Sequence, residues 1–240
     1  SITGQKNGTY EVLAYVNKSA GSVRTKSLTE VTETIAPDGS GNINFTKADV
    51  YSIIRMTNVD SDGTSVLSDY DLDNGQRDFA YLNGRMLKKA GRSTPGGNVF
   101  IRYKHFVHGA AGDFFGVNSY TGQLDYGDIP SYTQANGETV SLRDVLDFRS
   151  SVNSSGNFGS GAKINEVPKN TGLITLDAEY YLGKKVRVVI DRQSNVTAVE
   201  GEPNITPQLP PAPTNSMDLF HVNMNPFTVN DSDVSSKTIT

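Results

Sequence analysis

From Asn98 to Val107 the chain alternates between two sets of positions. Val99, Ile101, Tyr103 and His105 fall on one side, and Phe100, Arg102, Lys104 and Phe106 on the other. A period of two marks a strand. Apolar groups stand on both sides, so this strand is expected at the centre of a sheet. Thr9 to Val16 (TYEVLAYV) reads as a strand as well, and Val23 to Ile35 as one long or two short half-exposed strands. Ala36 to Asn42 (APDGSGN) is a loop and a candidate domain boundary. In Asn44 to Asp60 a Thr46-x-x-Asp49 box predicts a short capped helical turn, followed by a strand over YSIIRMTNV. The Asp62-Gly63 turn then leads to Ser65–Leu72. Asn74-Gly75 and Asn83-Gly84 predict tight turns on either side of the short aromatic segment Arg77–Leu82.

Gly109 to Gly127 is a Gly- and Tyr-rich excursion. Ser141 to Phe148 reads as a capped helical turn or a strand, and Ser150 to Ala162 as a loop. The run VRVVI before Asp191 and the segment Val196–Val199 flank a turn, which predicts a hairpin. Thr206 to Thr214 (TPQLPPAPT) is polyproline-like, and Leu219–Met224 is a last strand before a polar tail. No heptad or internal repeat is present. The pattern predicts a mainly β fold: an antiparallel sandwich or barrel-like sheets, with short helical turns and an extended Pro-rich terminal segment. Residues 1–36 are read as terminal strands of a preceding β module, 37–206 as the main β-rich domain, and 207–240 as a Pro-rich linker, last strand and extended arm.

Composition agrees with many turns and short strands: 23 Gly, 10 Pro and 36% hydrophobic residues in 240. The net charge of −4, with signs interspersed, leaves no basic surface for nucleic acid. No apolar run approaches the roughly 18 residues of a membrane helix. No signal peptide opens the chain. Its first residue is Ser, and a piece of a longer protein is expected. The absence of Cys removes disulfides, thiolate metal sites and cysteine nucleophiles.

The best metal candidate is a calcium loop with Asn58, Asp60, Asp62 and Asp69 at places 1, 3, 5 and 12, and Gly63 at the bend. Place 12 is Asp rather than a bidentate Glu, and place 8 is Ser65, so a solvated Asp-Gly turn is the competing reading. His105 and His108 are sent to opposite faces by strand alternation, which does not make a zinc site. The Gly156-x-x-x-x-Gly161-Ala-Lys163 stretch misses the phosphate-loop spacing at Ala162. No catalytic template is matched, although two of the many Asp carboxylates could meet across a groove and hydrolyse a glycan. Tyr120, Tyr126 and Tyr132 recur at spacing six and form a candidate aromatic platform for sugars or a protein partner. Two charge clusters, Arg77 with Asp78 and Arg143, Asp144, Asp147 with Arg149, are candidates for pinning loops or interfaces.

Four strings carry a resemblance: SDYDLDNGQRDFAY (68–81), DYGDIPSYTQANGETVSLRDVLDFR (125–149), AEYYLGKKVRVVIDRQSNVTAVEGEP (178–203) and PQLPPAPTNSMDLFHVNM (207–224). In this order they resemble a domain-of-unknown-function family of contractile-tailed phages, notably marine and cyanobacterial myoviruses. Its members occur in tail, tail-fibre and baseplate virion proteins. The resemblance covers roughly Asp49 to Pro226. It departs at Ser150, where the family continues with Pro, and at Gly183-Lys184, where Pro-Arg is usual. It implies a virion structural protein that joins neighbouring tail or baseplate subunits through β-rich interfaces and extended arms. The implied place is the phage tail, assembled in the host cytoplasm, with oligomeric contacts. No catalytic residue and no cofactor are implied. The alternative is a receptor- or glycan-binding tail-fibre module.

Overall fold

The computed structural model describes residues 17–60, 62–158, 169, 171–175, 177, 181–226, 228 and 234–238. The strand expected at Thr9–Val16 lies outside them. The fold is mainly β, in sheets that are antiparallel apart from one short parallel pair, Ala80–Tyr81 with Ser150–Ser151, and with short 3-10 turns. The chain divides into two compact units: residues 1–123 with 130–167, and residues 124–129 with 168–240.

The first unit holds β1 (Lys26–Ile35), β2 (Ile43–Ala48), β3 (Val50–Asn58), β4 (Tyr70–Asp73), β5 (Ala80–Tyr81), β6 (Asn83–Lys88), β7 (Val99–His108), β8 (Ser131–Thr133), β9 (Thr139–Ser141) and β10 (Ser150–Ser151). One sheet has the order β1-β7-β3, so the strand with the clearest alternation is central. A second sheet has the order β2-β6-β4. The two share a core: Ile43, Phe45, Tyr70 and Met86 from one, and Val50, Met56, Val99, Ile101 and Tyr103 from the other. Burying each such side chain stabilises the unit by about 1.5–3 kcal/mol. The Phe45 and Tyr103 rings stack at 4.5 Å, and the Tyr103 hydroxyl donates to Glu33.

The β1–β7 ribbon buries opposite faces at its two ends. Its register pairs Val31 with Tyr103 and Ile35 with Val99 at the end that covers the shared core. At the other end it pairs Lys26 with His108 and Leu28 with Phe106. Those residues occupy the opposite face, because strand parity differs. Burial along β7 records the switch: Val99, Ile101, Tyr103 and His105 are buried in alternation, and then Phe106 directly after His105. A second small cluster sits on this face, made of Ala48, Tyr81, Phe115 and Val152.

Several local expectations give way. The helical turn around Thr46 does not form; Asp49 alone separates β2 from β3, with φ of 52°. The chain leaves one sheet and enters the other at this residue, and Asp is one of the few side chains that tolerate the left-handed region. Asn74-Gly75 forms no tight turn, although Gly75 has φ 83°; it links β4 to the Gln76–Tyr81 bridge. Asn83-Gly84 instead lies within β6. A Cβ on Gly84 would stand 2.5 Å from Val50 Cγ2, so this glycine permits close packing rather than a turn. In Ser65–Leu72 a 3-10 turn at Leu67–Asp69 precedes β4. Only Ser141 of the segment Ser141–Phe148 is in a strand; Asp147 makes an isolated bridge to Phe115.

The second unit is a sheet of order β12-β11-β13-β14, with β11 (Lys184–Asp191), β12 (Val196–Glu200), β13 (Ser216–Met224) and β14 (Val234–Thr238). The expected β11–β12 hairpin is present. The polar tail read as an arm returns as β14 and pairs with β13, which backbone hydrogen bonding allows without apolar content.

Candidate functional site

The face of the β1–β7 ribbon opposite the shared core carries a charged network. Lys26, from β1, has no exposed side-chain surface. Its Nζ donates to Asp49 Oδ2 at 2.7 Å and to the Tyr81 hydroxyl at 3.1 Å. His108 Nε2, from the paired position on β7, lies 2.7 Å from the same Asp49 oxygen. A carboxylate can only accept, so this nitrogen carries the proton. Gln76 Nε2 donates to the other oxygen, Asp49 Oδ1, at 3.4 Å. Aromatic rings surround the ammonium: Tyr81 at 4.3 Å, Phe115 at 4.8 Å, Tyr120 at 5.1 Å and Phe106 at 5.5 Å. Burial lowers the pKa of Lys26, and Asp49 restores only part of it.

A second ion pair adjoins the first. Arg149 bonds Asp147 through Nε at 3.0 Å and Nη2 at 2.8 Å. It also donates to the Arg77 carbonyl, Gln76 Oε1 and the Tyr81 hydroxyl. The Tyr81 and Tyr132 rings each lie within 4.5 Å of its guanidinium carbon. Burial would raise the Asp147 carboxyl, but Arg149 and the Tyr81 hydroxyl hold it below its ordinary value. Burial, with Asp49 and Asp147 nearby, pushes the Tyr81 phenol well up and keeps it protonated.

Outside Arg149 lies a cleft of about 400 Å³, lined among others by Asp78, Phe79, Tyr132, Leu142, Asp147 and Arg149. Both of its carboxylates are occupied. Asp147 holds Arg149 and Tyr81, and Asp78 accepts the Tyr132 hydroxyl and the Ala135 amide.

The structure therefore brings Asp78, Asp147 and Arg149 together, and separates the other candidates. Arg77 forms a two-pronged bond with Asp73, not Asp78, at 2.9 and 2.7 Å across the Asn74-Gly75 link. Arg85 joins the same carboxylate at 3.0 Å. Arg143 and Asp144 pair with each other at 3.6 Å. Tyr120 and Tyr132 are buried, so the three do not form an exposed row. In the calcium candidate, Asp60 accepts the Asp62 amide at 3.0 Å. Asp69 lies in the 3-10 turn beside Arg92 at 3.3 Å, and Asn58 ends β3. Among the described residues no group of three or more His, Cys, Asp or Glu is placed to hold a metal ion. No described helix is long and apolar enough to cross a membrane.

Lys26, Gln76 and Tyr81 were not singled out by the sequence, and Asp49 and His108 were read there only as a helix cap and as one half of a rejected zinc pair. A basic residue at an inward-facing strand position is the one signal that pointed there: Arg24, Lys26 and Leu28 share a face, and the two basic residues are the buried ones. No protein-family model, curated protein or solved structure matches the chain.

Proposed function

We propose that the chain is a structural module of a bacteriophage tail or baseplate, joining neighbouring subunits through β-rich surfaces. The observation that carries the connecting role is apolar surface left open on a thinly filled unit. In residues 124–129 and 168–240 the buried aliphatic side chains among those described are Ile129, Val186, Val188 and Val189. Leu173, Ile174, Tyr181, Leu182, Val196, Ile205 and Met217 are exposed, Val196 at 60% on the edge strand β12. An edge strand bearing apolar side chains favours pairing with another chain. The occupied carboxylates of the cleft agree with a scaffold role. The phage assignment rests on the order of the four sequence strings. The adhesin reading draws no support from a tyrosine platform, because Tyr120 and Tyr132 are buried.

Mass spectrometry of purified particles of the encoding phage should find the chain. Antibodies raised against it should label the tail or baseplate. Particles that lack the chain, or label only at the capsid, would overturn the reading.

A further inference from the structure

We infer that Lys26 and Asp49 are the two halves of an intramolecular isopeptide bond, an amide joining Lys26 Nζ to the Asp49 side-chain carbonyl carbon. The two groups are 23 residues apart in the chain and 2.7 Å apart in space, with side chains 0% and 2% exposed. Each is fixed from behind. Lys26 is held in the β1–β7 ladder opposite His108, and Asp49 is the rigid one-residue corner between two sheets. The corner's own backbone is tied, since the Asp49 carbonyl accepts the Phe106 amide at 3.0 Å. Fixed reactants of this kind gain the large effective concentration of an intramolecular reaction.

The surroundings supply the remaining requirements. A buried ion pair in an aromatic cage is costly to keep charged, and a neutral amine facing a neutral acid is its low-dielectric alternative. That state needs one proton to move from Nζ to Oδ2 along the existing hydrogen bond. The free amine then attacks the carboxyl carbon. Charge gathers on Oδ1, where Gln76 Nε2 donates. A surplus proton passes from the new nitrogen to the Oδ2 hydroxyl, which departs as water while His108 Nε2–H donates a hydrogen bond to it. The C–O bond breaks, the C–N bond forms, and the products are one amide and one water. No oxidant or cofactor takes part. Four rings exclude bulk water, which opposes the reverse hydrolysis. Tyr81 acts as a positioning residue, holding Nζ at 3.1 Å.

The bond would staple β1 to the β2–β3 corner and remove two buried charges at once. Cross-links stabilise mainly by restricting the unfolded chain.

The test is the intact mass of the full chain, taken from a monodisperse fraction that melts cooperatively. The expected mass is that of the sequence less one water, and it persists under full denaturation. Trypsin should fail to cut after Lys26, and the fragments containing Lys26 and Asp49 should be recovered as one branched peptide. Lys26→Arg should restore the full mass. A folded wild-type chain at its full sequence mass overturns the inference, as does recovery of the two peptides separately. A water deficit that survives in Lys26→Arg also overturns it, because a succinimide at Asp62-Gly63 loses water in the same way.

Discussion

Tyr81 donates its hydroxyl proton to Asp147, and the same oxygen accepts from Lys26 at 3.1 Å and Arg149 at 2.9 Å. One phenol thus joins two ion pairs whose members come from β1, the β2–β3 corner and the segment before β10. Tyr81→Phe preserves the ring and deletes this junction. Leaving buried donors without their acceptor costs about 1–3 kcal/mol. Urea unfolding should show that loss as a lower midpoint with an unchanged slope.

The two Asp residues of the Arg143–Arg149 cluster should behave differently. Asp147 is 6% exposed and balances Arg149 inside the unit. Asp147→Asn leaves that guanidinium uncompensated, and breaking a buried pair costs about 3–5 kcal/mol. The Asp144 side chain is 49% exposed, and its pair with Arg143 spans 3.6 Å. Asp144→Asn should therefore change stability by about 1 kcal/mol or less. Parallel denaturation curves check both.

Stability should decline below neutral pH through His108. Burial depresses its pKa from 6.5, more than its contact with Asp49 raises it. The unfolded chain then binds a proton that the folded chain refuses, so stability is present above 6.5 and is lost as pH falls below it. His105 is depressed in the same direction, chiefly by burial. The unfolding free energy measured from neutral to about pH 5 should slope downward. The slope should be shallower in His108→Gln and shallower still when His105 is replaced as well.

A second acid step belongs to Asp73. Burial would raise its carboxyl, but Arg77, the Gly75 amide and Arg85 outweigh burial and hold it at about 2. Its contribution is full above the unfolded value of 3.8 and disappears as pH falls to about 2. Asp73→Asn should remove this step from the acid-unfolding curve.

Gly84→Ala tests the strand reading of Asn83-Gly84. The new methyl would sit 2.5 Å from Val50 Cγ2 and 3.2 Å from Phe45 Cδ2. Overpacking of this kind costs about 1–3 kcal/mol. In a true Asn-Gly turn the penalty would come from φ instead, and enlarging the Val50 cavity would not relieve it. Combining Gly84→Ala with Val50→Ala should recover part of the loss if the clash is the cause.

Alternation and turn residues determined by themselves that the chain is β-rich, that Val99–His108 is a central strand, and that the segments about Asp191 form a hairpin. Those features are local: a period of two and a turn compatible with it are written in neighbouring residues. The sequence also marked Asp147, Arg149 and Asp78, since their strings are short and densely charged. What only the tertiary structure decided is which charges meet. Thr46-x-x-Asp49 reads as a helix cap in one dimension, yet the corner between two sheets turns Asp49 toward Lys26. Lys26, Asp49, Tyr81, His108 and Asp147 come from separate elements, and no local pattern encodes their convergence. The two-faced burial of the β1–β7 ribbon brings it about: strand parity is local, but which face is covered at each end depends on what packs there.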